Sequence, residues 1–152
     1  GFLRDYARFA KLPQPRIEAY EPTAFVERLR SQIAFDVDGA IPREPLRVDG
    51  AQFEQALLNL LKNAHEACPP EADVRLRLRH DGRDWRIDVL DRGSGMSEAV
   101  MANALVPFYS TKRSGTGLGL ALVREIIEAH GGRIGLANRE GGGLCVSLVL
   151  PG

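Results

Sequence analysis

The chain has 152 residues, enough for one domain with a sizeable core, and 44% hydrophobic with 26% charged residues is the make-up of an ordinary globular protein. Lys plus Arg and Asp plus Glu both total 20, so no overall basic charge argues for an anionic membrane or nucleic acid, and nucleic acid is not expected as a partner. No apolar run approaches the ~20 residues of a membrane span and no stretch has a signal-peptide pattern. Cys68 and Cys145 stand far apart without metal-ligand spacing, which points to free thiols in a reduced, cytoplasmic setting.

In chain order, "GFLRDYARFAKL" puts Phe2, Leu3, Tyr6 and Phe9 at helical spacing and stops at Pro13 and Pro15. So short an amphipathic helix needs a partner for its apolar face, and residue 1 already lies inside it. Residues 1–15 are therefore read as the tail and linker of an upstream helical element, and 16–152 as the domain itself. A short helix ("TAFVERLRSQ"), a strand around Ile33–Val37 and the segment "PLRVD" follow. "DGAQFEQALLNLLKNAHEA" predicts a long helix with Asp49 as N-cap and Gln52 at N3, a variant of the capping box.

"DVRLRLRH" alternates Val74, Leu76 and Leu78 with Arg75, Arg77 and Arg79, the pattern of a half-buried strand whose arginines face solvent. A turn at Asp81–Gly82 leads into "DWRIDVLD", with Trp85, Ile87 and Val89 on one side, so the two strands read as a hairpin. "DRGSGM", a helix from about Ser97 to Leu105, "VPFYSTKRS", the glycine run "GTGLGL" and the helix "ALVREIIEAHG" come next. "GRIGLANRE" and "LCVSLVLP" around a triple glycine close the chain as a second hairpin. This order predicts an α/β sandwich: a mixed, mostly antiparallel sheet with helices on one face.

Glycine this dense before a helix brings a ligand close to backbone N–H groups at a helix start, a natural anion site. Gly115, Gly117 and Gly119 do not fit the dinucleotide fingerprint, because the spacing is wrong and polar "STKRS" precedes them instead of a strand. The Walker pattern fails as well, since no Gly-Lys-[Ser/Thr] occurs. On the long helix, Asn59, Asn63 and Glu66 lie within roughly 60° of one another around the axis, bordering the apolar face of Phe53, Leu57, Leu60, Leu61 and Ala64. An amide oxygen is a hard ligand suited to Mg²⁺ that shares phosphates with the protein; two solvated surface amides would look the same. Asp91 ends a strand before a turn flexible at Gly93 and Gly95. An ionised carboxylate only accepts hydrogen bonds, so Asp91 is either a plain turn residue or a reader of an exocyclic amine such as the 6-amino group of adenine.

"NLLKNAHEA", "DRGSGM", "PFYSTK" and "GTGLGLALV", in this order and spacing, resemble the N, G1, F and G2 boxes of sensor histidine kinases, over about Asp49 to Leu150. The short lid "PFYSTKRSGTGLGL" and the lead-in "ARFAKLPQPR" are most similar to the nitrogen-regulation type. The resemblance implies the Bergerat ATP-binding fold, ATP and Mg²⁺ as ligands, and phosphoryl transfer to a histidine. It implies that Asn63 holds Mg²⁺, that Asn59 lies beside it near the phosphates, and that Asp91 reads adenine while Gly93 and Gly95 admit the base. It further implies that Phe108 belongs to a mobile lid, that Lys112 on that lid can reach phosphate, and that Gly115, Thr116, Gly117, Leu118 and Gly119 bring backbone to the triphosphate. Glu66 orients Asn63 or a metal-bound water, or pairs with Lys62 one turn away.

A sensor kinase also needs a phospho-acceptor histidine on a dimerising helical hairpin. His65, His80 and His130 lack the H-E-x-x-[NT]-P context, so the acceptor is expected upstream, in a homodimer that passes the phosphoryl group to a response regulator. ATP hydrolases of the same superfamily carry a glutamate base four residues before the Mg²⁺ asparagine. Asn59 stands there, and a neutral amide cannot take a proton from water. The alternative of a different class is a nucleotide-binding switch module without phosphotransfer.

Overall fold

A computed structural model describes residues 12–67, 73–106 and 119–152. In chain order the elements are β1 (Glu18–Tyr20), α1 (Pro22–Arg30), β2 (Asp36–Val37), β3 (Leu46–Val48), α2 (Gly50–Ala67), β4 (Arg75–His80), β5 (Asp84–Leu90), α3 (Glu98–Asn103), α4 (Gly119–Ala129), β6 (Arg133–Asn138) and β7 (Leu144–Pro151). The helix expected before Leu12, and Cys68, lie outside the described residues.

Five strands form one sheet in the order β2-β4-β5-β7-β6, with β2 parallel to β4 and every other pair antiparallel. Period-two alternation sorts its faces. Val74, Leu76 and Leu78 point inward with Trp85, Ile87 and Val89, and none of the six exceeds 4% exposure. Against them pack α2, through Phe53, Leu57, Leu60, Leu61 and Ala64, and α4, through Ala121, Val123, Ile126 and Ile127. On the opposite face, Arg77 and Arg79 do more than meet solvent. Both reach Oδ2 of Asp88, at 2.7 and 3.0 Å, and the Asp88 side chain is 2% exposed. That bond holds the Arg77 guanidinium above its ordinary pKa.

Three expectations change in detail. The strand around Ile33–Val37 shrinks to Asp36–Val37 because the chain is still unwinding from α1, with the Gln32 and Ile33 N–H groups both bonded to the Leu29 carbonyl. Phe35, meanwhile, is buried beneath the Arg30 guanidinium. "PLRVD" finds an unexpected partner: β3 pairs with β1 as a separate two-stranded ribbon. The capping box is half formed. Asp49 Oδ1 accepts from the Gln52 N–H at 3.0 Å, but the Gln52 amide turns away and donates to the Pro13 carbonyl at 2.9 Å.

His130 fills the vacant role. The Asp49 N–H donates to its Nε2 at 3.0 Å, and its Nδ1–H donates to the Ile126 carbonyl at 2.7 Å, which fixes the neutral ring in one tautomer. The imidazole thus joins the start of α2 to the end of α4. The linker is tied to the same point, since the Arg16 N–H donates to Asp49 Oδ2 at 2.9 Å and Leu12 packs on the core. Burial opposes ionisation of Asp49, yet the N–H donors of Gln52 and Arg16 outweigh it and hold the carboxyl below its ordinary 3.8.

Asp49→Ala should cost about 1–2 kcal/mol of unfolding free energy at neutral pH, the value of a lost N-cap. The folded-state pKa is depressed, so the ionised contribution is present above the ordinary value and disappears as pH falls through the lowered one. Urea unfolding of the wild type and variant should therefore converge on acidification past 3.8.

Candidate nucleotide site

The two inner helices run antiparallel: the Asp49–His130 bond joins the start of α2 to the end of α4, and the other ends meet at Asn63 and Gly119. A Cβ built on Gly119 would lie 3.9 Å from Asn63 Nδ2, with no nearer neighbour among the described residues. The first described residue of the glycine-run helix is therefore beside the amide singled out on α2. Asn59 and Asn63 are half-buried and Glu66 is exposed, as expected of a stripe along the edge of a core-facing helix.

At Ala67 the end of the same helix meets the turn after β5. Gly93 sits against it so closely that a Cβ there would strike the Ala67 carbonyl oxygen, so only glycine allows this approach. Gly95 has φ +72°, and its missing Cβ leaves room for the Asn138 side chain. Asp91 continues the inward row of Trp85, Ile87 and Val89 at the end of β5 and is 5% exposed. Its Oδ1 accepts from the Gly93 N–H at 2.9 Å and the Leu144 N–H at 3.1 Å. Oδ2 accepts from none of the described residues. As an acceptor-only group with one oxygen not engaged by those residues, the carboxylate is available to a donor from a ligand.

The structure thus brings together Asp91, Gly93 and Gly95 at one end of α2 and Asn59, Asn63 and Gly119 along its face. Phe108, Lys112, Gly115, Thr116, Gly117 and Leu118, with most of the expected lid, lie outside the described residues. His65 bonds the Ala34 carbonyl at 2.5 Å, His80 packs on Trp85, and His130 is the buried brace already described. Among the described residues no group of three or more His, Cys, Asp and Glu is placed to hold a metal, and no helix is long and apolar enough to cross a membrane.

Asn138 and Arg139, which hold the Asp91 turn from the far hairpin, were not among the residues the motifs indicated. The one signal in the sequence was a polar pair, "NR", preceding the glycine cluster 141–143.

Residues 48–152 match the model of the histidine kinase-, DNA gyrase B- and HSP90-like ATPase family, and the chain belongs to that family, whose domain binds ATP. It is 35% identical over 161 residues to the nitrogen regulation protein NtrY of Azorhizobium caulinodans, covering 96% of this chain and 21% of that protein. It is 40% identical over 139 residues to the C4-dicarboxylate transport sensor protein DctS of Rhodobacter capsulatus, covering 88% of this chain and again 21% of the relative. The chain therefore spans about a fifth of the length of these relatives. The catalytic domain of the histidine kinase ThkA superposes with a TM-score of 0.81 at 25% identity, over 90% of this chain and 95% of that one. The chain is homologous to the catalytic domains of sensor histidine kinases, and the mixed sheet with its helices is their fold.

Proposed function

We propose that this chain is the ATP·Mg²⁺-binding catalytic domain of a two-component sensor kinase and delivers the γ-phosphoryl group of ATP to a histidine on a dimerisation domain upstream of it. The observation that carries the reading is the buried Asp91 carboxylate, fixed through one oxygen by the Gly93 and Leu144 N–H groups with its other oxygen unclaimed by the described protein. An adenine 6-amino group is a donor that answers it; guanine offers an oxygen at that position. Gly93 lets the base approach along the end of α2, and Gly95 lets the chain turn away behind it.

About one turn before Ala67 on the same helix, Asn63 is the residue that would hold Mg²⁺, with Asn59 a turn further back, and the closeness of Asn63 to Gly119 fits phosphates held at the start of α4. Bound there, the metal supplies charge neutralisation for the triphosphate. Gly115, Thr116, Gly117, Leu118 and Gly119 offer backbone N–H groups to the phosphates, Phe108 and Lys112 close over them from the lid, and Glu66 steadies Asn63. In the transfer, an imidazole nitrogen lone pair forms the N–P bond as the bond from the γ-phosphorus to the bridging oxygen breaks and ADP leaves. Positioning and charge balance do the catalysis. Asn59 cannot activate water, which keeps hydrolysis from competing.

Residues 1–15 are the end of the acceptor element and its linker, and 16–152 the catalytic domain. The partners are that acceptor domain, a second copy of the full-length protein and a response regulator. A need for ATP supports a cytoplasmic location for the domain, within a sensor that is itself soluble or membrane-anchored.

ATP should bind in preference to GTP, and Asp91→Asn should weaken ATP binding by about a hundredfold or more, because a site built to pair with an amine rejects the analogue lacking it. Calorimetry with both nucleotides checks this; equal affinities in the wild type would remove Asp91 from base recognition.

Incubated alone with γ-labelled ATP and Mg²⁺, the chain should bind nucleotide, gain no phosphohistidine and release phosphate only very slowly. With a separately supplied acceptor hairpin it should label that hairpin, and Asn63→Ala should abolish the labelling. Labelling of His65, His80 or His130 would contradict the split between acceptor and catalytic domain. Nucleotide binding without any transfer would make the chain a switch module.

A further inference from the structure

We propose that the turn between β6 and β7 is a positioning element for base recognition: Asn138 and Arg139 hold Asp91 and the Gly93–Gly95 turn in the geometry that selects adenine. The inference rests on the reading of Asp91 given above and extends it to residues outside the nucleotide motifs.

The turn after β5 has little to hold it from within, since two of its residues are glycine. Asn138 supplies the missing restraint from 42 residues away. Its Oδ1 accepts from the Met96 N–H at 2.8 Å and its Nδ2 donates to the Met96 carbonyl at 2.7 Å. One side chain thus satisfies both backbone groups of one residue, and a Cβ on Gly95 would collide with it. Arg139 Nη1 donates to the Asp91 carbonyl at 2.8 Å. Arg92 returns the contact, donating to the Glu140 and Gly142 carbonyls at 2.9 and 3.0 Å. The Asp91 N–H donates to the Leu144 carbonyl at 3.0 Å.

The consequence falls on the carboxylate. Of the two donors that orient Asp91 Oδ1, the Gly93 N–H comes from the turn and the Leu144 N–H from β7. They stay in register only while turn and hairpin stay together; Asn138 ties the far side of the turn at Met96, and Arg139 and Arg92 tie its start. Without Asn138 the Gly93 donor is free to drift, the carboxylate rotates, and Oδ2 leaves the line on which it meets an amine. Such a loss reduces discrimination between bases before it reduces contact with phosphate.

The test is calorimetric titration of ATP and of inosine triphosphate, which carries oxygen in place of the 6-amino group, into the chain with Mg²⁺. Wild type, Asn138→Ala, Arg139→Met, Asp91→Asn and the Asn138→Ala/Asp91→Asn double variant are compared. The wild type should prefer ATP, and Asn138→Ala should cut that preference by about tenfold, the scale of one or two lost hydrogen bonds. Arg139→Met, a milder change at the same turn, should move it in the same direction. In the Asp91→Asn background, Asn138→Ala should leave the ratio unchanged, because a residue acting through Asp91 has nothing left to position. A merely structural role would lower the folded fraction, scale both nucleotides alike and leave the ratio intact. An unchanged ratio in both single variants, or an equal effect with and without Asp91, overturns the proposal while the Asp91 reading stands. A wild type without preference for ATP overturns both.

Discussion

A single imidazole fixes the frame on which the site is built. His130 accepts from the Asp49 N–H and donates to the Ile126 carbonyl, so it closes the last turn of α4 and the first turn of α2 in one contact. The helices are thereby held antiparallel over the sheet, and their opposite ends place Asn63 beside Gly119. A helix start has N–H groups without intrahelical partners and a helix end has carbonyls without them. Here each end answers the other through the ring. Asp49 also receives the linker through the Arg16 N–H, so the incoming chain, the asparagine-bearing helix and the glycine-run helix share one anchoring residue.

The proposed chemistry follows from how charge is distributed along α2. Asp91, a buried carboxylate against the end of that helix, lies where the proposed reading wants an acceptor for the base. Toward the phosphates the helix offers neutral amides at Asn59 and Asn63, which add no negative charge beside a triphosphate and cannot deprotonate water. A base four residues before Asn63 would turn the same geometry toward hydrolysis. An amide there favours the proposed transfer to an acceptor on another domain over hydrolysis.

Much of this was legible in the residues because it is local or periodic. Val74, Leu76 and Leu78 alternate with arginines because one face of β4 is covered and the other is not. The Asp49 cap, the core face of α2 and both hairpins follow from equally short-range rules. What escaped depends on contacts between distant segments. β1 is only three residues long, and its partner β3 lies far along the chain. Ile33–Phe35 have the composition of a strand, but the C-terminus of α1 takes the Ile33 N–H and the Ala34 carbonyl pairs with His65. Gln52 at N3 suggested a reciprocal cap, yet its amide found Pro13 and His130 took its place. The hold of Asn138 on Met96 joins a side chain to backbone across 42 residues, and backbone groups leave no trace in composition. Within the site, motif spacing indicated which residues would gather; the support behind them came only from the fold.

The most direct test is a crystal structure of the chain with Mg²⁺ and a non-hydrolysable ATP analogue. The adenine 6-amino group should donate to Asp91 Oδ2, and the triphosphate should lie between Asn63 and the start of α4, with the metal on the Asn63 amide oxygen. A base turned away from Asp91, or phosphates bound without contact to Asn63 or the glycine run, would contradict the assignment.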